Sequence, residues 1–552
     1  MRKARRSIWV SVGLVFLLSL GCLIFLPSGN AAPGAGPDLK GGPRGVVRSA
    51  AGFPIEGMLV QLISQKTSMR TTVYTNELGQ YEFPKLEPGS YTLRTPRPLE
   101  FKRYLKESVR ITGSDKFEDI VLDKVSNSEF LPPRPDIIAQ LSDAEWLYNL
   151  DGTAQEKKIF SNSCGTGCHT YQMQFRSRFD EKSWRLIVHR MLDYSGRILQ
   201  GPGDGEVTPE EQAEREILVK WLARVRGPDA QDPPFKVFPR SHGPATRAVI
   251  TEYELPWLGV HVHDVFGDTQ SENIWFDINR SPFIGKLNPA TGKVTSWRIP
   301  GTEGKHPGAH WIQAEKDGTV WYSETWSSSL IRFNPLTEMF KKMSSGVQGN
   351  MALAPDGTIW RTARGKVARF DRETAKIVET FPPDDRRVPS TYGNFVSWDG
   401  RYFGGGNRER DFDGVVFFDR QTKEVRMIPS PSGVSGASRG SFDPDGNIWV
   451  GGRGGVLVKY DHKQNVIAEY APPTPWNTFY ETRADKNGEV WAGEMRAGRI
   501  ARFNPKTQRW IEYVLPEPFS FDWQTYVDNS TDPVTIWYGD QYGYIVRVQP
   551  LE

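Results

Sequence analysis

Short runs of alternating apolar and polar residues mark residues 40–125: positions 46–47, 58–63, 71–75, 81–83 and 91–93, separated by Gly and Pro. A period of two predicts strands with one buried face. Gly79 and Pro88-Gly89 supply turns, and Tyr81, Phe83 and Tyr91 can point into one core. Beyond a Pro-rich linker at 131–135 the pattern changes. Residues 136–227 read as helical, with Trp184, Ile187 and Met191 at helical spacing within 179–199. Thr208 as N-cap, Pro209 at the first position and Glu211 in a capping box predict the start of a last helix. It carries Ile217, Leu218, Trp221 and Leu222 on one face and ends at Gly227-Pro228.

A second linker, 228–244, leads to a region that repeats itself from 245 to 552. Trp275, Trp321, Trp360, Tyr402, Trp449, Trp491 and Trp537 recur every 39 to 47 residues. Most follow a turn such as Asp317-Gly318, Asp356-Gly357, Asp399-Gly400, Asp445-Gly446 or Asn487-Gly488. Four strands at this period predict β-propeller blades, seven in all. The last repeat stops at Val548-Gln549-Pro550 without a fourth strand, whereas residues 249–256 stand as an extra strand before the first repeat. That strand is expected to complete blade seven and close the ring, which removes the open sheet edges. The predicted fold is therefore multidomain and mainly β: a sandwich, a small all-α domain and a seven-bladed propeller.

Residues 1–32 combine a basic start, Arg2-Lys3-Ala4-Arg5-Arg6, an apolar run over 8–26, and small residues at Gly29, Ala31 and Ala32. This reads as an export signal, with an uncleaved membrane anchor as the alternative. The expected location is periplasmic or secreted. A net charge of +3 over 552 residues gives no basis for a nucleic-acid partner. Of the 3 Cys, Cys22 lies in the signal, so Cys164 and Cys168 remain for a local task, too few for a disulfide framework.

That task is legible in Cys164-Gly165-Thr166-Gly167-Cys168-His169, a C-x-x-x-C-H motif. Such a motif attaches a c-type haem through two thioethers, with the adjacent His as an iron ligand; two intervening residues are usual, and here there are three. A Cys164–Cys168 disulfide, a zinc site and a redox dithiol are the competing readings; zinc lacks two further ligands nearby, and no thioredoxin-like pattern surrounds the pair. The motif, then Trp184-Arg185-Leu186-Ile187-Val188-His189-Arg190-Met191 and a capped final helix, resembles small class I-like cytochrome c domains. The resemblance implies one covalent haem held by Cys164, Cys168 and His169. Met191 is the expected second axial ligand, since a thioether raises the haem potential, with His189 as the alternative. Met173, four residues after His169, is too close to reach the opposite haem face.

Two further resemblances follow from quoted residues. Thr75-Asn76-Glu77-Leu78-Gly79-Gln80-Tyr81-Glu82-Phe83 and Leu86-Glu87-Pro88-Gly89-Ser90-Tyr91 resemble the carboxypeptidase regulatory-like domain, a transthyretin-like sandwich, which implies a non-catalytic module. The blades, best seen in His310-Trp311-Ile312, then 317–324, then Leu330-Ile331-Arg332-Phe333, resemble the virginiamycin B lyase (streptogramin lyase) family. That resemblance implies Mg2+ held partly by Glu and a His acid/base opening a cyclic depsipeptide. His310 matches the first family position. However, Gln348-Gly349-Asn350 stands where E-x-H is expected, and Trp360-Arg361-Thr362-Ala363-Arg364 where a further Glu belongs.

Four of the 8 His fall near the mouths of the first two blades: His261, His263, His306 and His310. With Asp277 and Glu324 they can line one sector of the central face and suit Mg2+ or another divalent cation, or acid/base work, the alternative being solvated loop side chains. His310, Glu324 and His263 are the candidate catalytic residues, and Glu494 and Asp540 occupy the Glu324 position in later blades. The expected function is an exported c-type haem protein for electron transfer, its propeller binding a redox partner protein or a small-molecule substrate. A metal-dependent lyase with an accessory haem domain and a non-catalytic binding protein are the alternatives.

Overall fold

The structure is a computed structural model that describes residues 34–35, 39–165, 169–199, 207–279, 281–301, 308–324, 327–347, 349–409, 412–520 and 522–552. The segment read as an export signal, and Cys168, His306 and Gln348, lie outside the described residues. Among the described residues no helix is long and apolar enough to cross a membrane.

Seven four-stranded antiparallel blades form the propeller: the first four are separate sheets, the fifth and sixth join through the parallel pair Arg439↔Glu481 into one eight-stranded sheet, and the seventh takes its fourth strand from before residue 261. Blade one, for example, runs His261–Gly267, Ile274–Asn279, Phe283–Leu287 and Val294–Arg298. Blade seven is built from Asp522–Asp528, Thr535–Asp540, Tyr544–Pro550 and, as expected, Ala248–Glu254, which pairs antiparallel with the last strand from Tyr544↔Glu254 to Pro550↔Ala248. The recurring tryptophans are core residues: Trp275, Trp321, Trp449 and Trp491 are fully buried. Each packs under a cation from the next strand, Lys286, Arg332, Lys459 and Arg502 respectively, 4.7 to 5.7 Å from the ring centre. The cation covers the ring face while its stem covers apolar surface, so each repeat seals its own outer edge.

The N-terminal domain is a two-sheet sandwich. One sheet holds Gln80–Glu82, Arg44–Ser49 and Ile120–Leu122; the other holds Leu105–Ile111, Gly89–Arg94, Leu59–Ser64 and Arg70–Tyr74. Tyr81, Phe83 and Tyr91 share its core with Val47, Val60 and Leu62, as their alternation predicts. The second sheet does not end at the domain boundary. Arg70–Tyr74 pairs antiparallel with Ala248–Glu254, so sandwich and blade seven form one eight-stranded sheet. Two edges are thereby covered at once. At this seam Gln61 donates to Thr72 and Glu252, and the Tyr74 hydroxyl donates to the carbonyl of Val514.

The helical unit comprises α1 (Pro135–Ile138), α2 (Asp143–Asn149), α3 (Ala154–Cys164), α4 (Gln172–Phe175), α5 (Glu181–Leu199) and α6 (Pro209–Val225). Ser142, Thr153 and Thr208 each start a helix with a complete capping box. Phe160 of α3 packs edge-on against Trp221 of α6 at 5.3 Å, and Trp146, Tyr171, Phe175 and Trp184 complete an aromatic core. On α5 the buried stripe passes through Trp184 and Val188, while Met191 is 42% exposed. Both linkers are pinned rather than loose: Leu131 and Phe235 exchange backbone hydrogen bonds of 2.8 Å.

Candidate functional site

A propeller's first strands line its central channel, and here five of the seven depart from regular pairing at one place. Register slips between Val262 and Val265, Ala309 and Ile312, Ala437 and Gly440, Phe479 and Thr482, and Asp522 and Thr525. A bulge puts two residues opposite one and re-aims their side chains. The bulged pairs are His263-Asp264, His310-Trp311, Ser438-Arg439, Tyr480-Glu481 and Trp523-Gln524. Of these, His263, Asp264, His310, Arg439, Tyr480 and Trp523 meet in one cluster.

The His263 and His310 rings lie 4.2 Å apart, centre to centre. Tyr392, whose N–H is held by the carbonyl of Gly406 just before the first strand of blade four, brings its hydroxyl 3.2 Å from His310 Nε2. The Tyr392 and Tyr480 hydroxyls are in direct hydrogen-bond contact, and the Tyr480 hydroxyl lies 3.2 Å from His263 Nε2. His263 Nδ1 sits 3.0 Å from Asp264, which Arg439 pairs; Arg439 also reaches His310 Nδ1 at 2.9 Å and the His310 carbonyl at 2.8 Å. Trp523 stacks on His263 at 4.9 Å. His263, Asp264, Arg439 and Tyr480 are buried, whereas His310, Tyr392 and Trp523 are half-buried and form the open side.

Burial sets the charges. It holds His263 below the usual imidazole range, against the pull of Asp264, and raises the Tyr480 phenol well above its ordinary value. For Asp264 burial opposes ionisation, but Arg439 and His263 together hold the carboxyl far below the usual range. Asp277 accepts the Asp264 N–H at 3.0 Å and is pushed well up by burial and the neighbouring Asp264 charge. Glu481 beside Arg439 is raised to about 7 by burial.

Of the residues expected from sequence, His263 and His310 come together as a pair and Asp277 backs them. One donor atom each of His263, Asp264 and His310 lie within 4.8 Å of one another. Glu324 is engaged differently: it accepts from Ser327 and the Gly308 N–H and pairs with Lys342 at 3.3 Å, closing its own blade's turn. Glu494 and Asp540 occupy the same register, opposite Phe479 and Asp522. Asp540 accepts from Ser520 and the Tyr542 N–H, and burial raises it to about 7. Asn350, in the place of the expected family histidine, is buried and accepts from the Asn394 backbone and side chain at 3.0 Å. Arg439, Tyr392, Tyr480 and Trp523 are additions that sequence reading missed. The repeat itself carries a signal for two of them: aligned blade on blade, Tyr480 and Trp523 fall in one column with His263 and His310, whereas Arg439 stands one residue later in its bulge and Tyr392 lies in none.

The Cys164 segment sits on the same mouth. In every blade the first strand's start pairs with the second strand's end, so this face carries the turns between second and third strands. Lys158 of α3 donates to the carbonyl of Gly454 in blade five's turn. In blade six's turn, fully buried Arg496 pairs with Asp143 at 2.6 Å and donates to the backbone carbonyls of His169 at 3.0 Å and Cys164 at 3.1 Å. Its guanidinium stacks 4.2 Å over Tyr171. The preceding residue, Met495, packs against Tyr480 in a cluster with Tyr392 and Trp523. Gly165 lets α3 end tightly: a Cβ there would stand 2.3 Å from the Ser161 carbonyl of the same helix, and only in ordinary contact, 3.4 Å, with Thr478 of the propeller. Burial pushes the Cys164 thiol up to about 12, so it is not a thiolate nucleophile. His169 Nδ1 lies 3.0 Å from the Thr170 carbonyl oxygen. His189 Nε2 stands 3.9 Å from Glu216 on α6.

Comparison with known proteins bears on two of the domains. Residues 44–122 match the carboxypeptidase regulatory-like domain family. The propeller is similar to virginiamycin B lyase from Staphylococcus aureus, at 17% identity over 55% of this chain and 99% of that one, with a TM-score of 0.47. It is likewise similar to a streptogramin B lyase, at 16% identity over 56% and 99%, with a TM-score of 0.47. At this identity the likeness concerns fold, and no residue role is carried over. No curated protein matches the chain.

Proposed function

We propose that the chain is an exported c-type haem protein whose haem unit is seated on the propeller mouth and exchanges electrons with a substrate or partner bound at the His–Tyr cluster. The observation that carries this reading is the Met495-Arg496 turn. Arg496 grips the carbonyls of Cys164 and His169, and Met495 packs on Tyr480.

The residues present fit a haem. Cys164 ends α3 as a neutral thiol available for a thioether, with Cys168 as its partner in the motif. With Nδ1 donating to the Thr170 carbonyl, His169 keeps its Nε2 lone pair for iron, the tautomer an iron-binding imidazole needs. Crossing of α3 by α6 through Phe160 and Trp221 further supports a cytochrome-like arrangement. Met191, at 42% exposure on α5, would hold the iron together with His169. Bound there, the haem supplies one-electron transfer. The chain's own residues do the rest: Arg496 fixes the attachment segment, Tyr392 and Tyr480 pass a proton between His310 and His263, and Asp264 and Arg439 hold those imidazoles in place.

A lyase of the streptogramin type is not favoured, because Asn350 has no titratable group and its amide is committed to Asn394. The test is production with export and haem-maturation machinery, then a dithionite-reduced spectrum of the full chain. The reading expects the α-band of a thioether-linked haem, and a colourless protein overturns it.

A further inference from the structure

We infer that the cleft between the second linker and blade six binds a small aromatic carboxylate, with Arg499 receiving the carboxylate and Trp510 and the surrounding prolines receiving the ring. The inference goes beyond the proposed function and does not depend on the haem.

Three segments build the cleft. The linker contributes Phe238, Pro239 and Pro244, and the connection from blade five to blade six contributes Pro473 and Pro475. The third and fourth strands of blade six, Arg499–Asn504 and Arg509–Val514, supply Arg499, Trp510 and Glu512. Its volume of about 290 Å3 stands at the small end of the range for organic ligands. The walls are held in place. Arg499 donates to the Pro239 carbonyl at 2.8 Å, and the Phe238 N–H donates to Glu145 at 3.0 Å. The Ser241 hydroxyl donates to the Glu512 carbonyl at 3.3 Å and accepts from the Val514 N–H at 3.2 Å. Prolines with fixed φ add to this rigidity, so little has to be ordered when a ligand enters.

The charge in the cleft calls for an anion. Arg499 is only 7% exposed, yet its Nε–H meets no acceptor among the described residues. A buried charged donor without an acceptor is costly, and an incoming carboxylate removes that cost. Glu512 does not do so. Its two oxygens accept from the Thr474 N–H at 3.1 Å and the Thr474 hydroxyl at 2.8 Å, and Arg499 approaches them no closer than 3.7 Å, beyond hydrogen-bond range. Arg240 and His242 also line the cleft but are matched by Glu100 and Glu56, while exposed Arg509 adds a second cation at the rim.

The rest of the lining selects the ligand's other half. A planar carboxylate suits a guanidinium, and half-buried Trp510 and the proline rings offer apolar faces against which an aromatic ring packs. An inorganic anion would leave those faces unused.

The experiment is calorimetric titration of the full-length protein with benzoate. One site is expected, with a dissociation constant below about 1 mM. Phosphate and benzyl alcohol, each with half of the required chemistry, are expected to bind at least about tenfold more weakly. Arg499→Lys, which keeps the charge but loses the Nε–H, is expected to weaken benzoate by a similar factor. Glu512→Gln keeps an acceptor for Thr474 and removes the opposing charge, so it is expected to tighten binding. Wild-type protein that does not bind benzoate, or that binds phosphate or benzyl alcohol as tightly, overturns the inference, whether or not the variants fold. Benzoate binding that is undiminished in Arg499→Lys, or weakened in Glu512→Gln, overturns it too.

Discussion

The Tyr480 hydroxyl lies 3.2 Å from Nε2 of His263, a residue 217 positions earlier in the chain. Both side chains are first members of a bulge at the same register of their blades, so one local deformation, repeated around the ring, assembles the site. The same mouth receives the helical unit through Arg496, and that junction supports the first prediction.

Arg496→Met leaves Asp143 as a buried, unpaired carboxylate and strips the Cys164 and His169 carbonyls of a donor. A loss of about 3–5 kcal/mol is expected in denaturant unfolding. Adding Asp143→Leu should recover part of it, because the stranded charge is then gone. A single variant within about 1 kcal/mol of wild type would contradict the role given to this pair.

The seam between sandwich and propeller predicts a pH dependence. Burial, with Glu517 adding to it, raises Glu252 to about 8. An acid whose folded value is raised stabilises the fold below its unfolded value and loses that contribution as pH rises through the folded one. Wild type should therefore lose stability relative to Glu252→Gln between about pH 4.5 and 8, read as melting temperature against pH. Parallel curves for the two proteins would contradict this.

One continuous sheet also implies one cooperative unit. Calorimetry of the full chain should show sandwich and propeller melting together, and Tyr74→Phe should lower that common transition by about 1 kcal/mol by removing the bond to Val514. A separate sandwich transition that alone responds to Tyr74→Phe would sink the idea.

Met191 and His189 are separable by redox titration. A thioether ligand raises a haem potential. Met191→Ala should lower the midpoint, while His189→Ala, which removes a ring 3.9 Å from Glu216 on α6, should leave it nearly unchanged. The reverse pattern assigns the ligand to His189.

Much of the fold was legible in local pattern. The Trp275-to-Trp537 spacing reports blades because each repeat needs one large buried ring, and the orphan strand before blade one reports closure because the last repeat lacks its fourth strand. The join of Arg70–Tyr74 to Ala248–Glu254 was not legible, since an edge-to-edge pairing leaves no signature in either strand. At the site, His263 and His310 drew notice as scarce residues. Tyr480 and Arg439 did not, because only the bulge register distinguishes them from the other tyrosines and arginines, and Tyr392 did not, because it stands before a regularly paired strand. Glu324 drew notice by its place after a Trp strand, yet that position caps a turn and binds Lys342.

Covalent haem at Cys164 and Cys168 is read from the mass of the tryptic peptide spanning residues 159–176 of protein matured for haem attachment. This peptide is expected to carry one haem bonded through both cysteines. A peptide with two free thiols, or with a Cys164–Cys168 disulfide and no added haem mass, would contradict it.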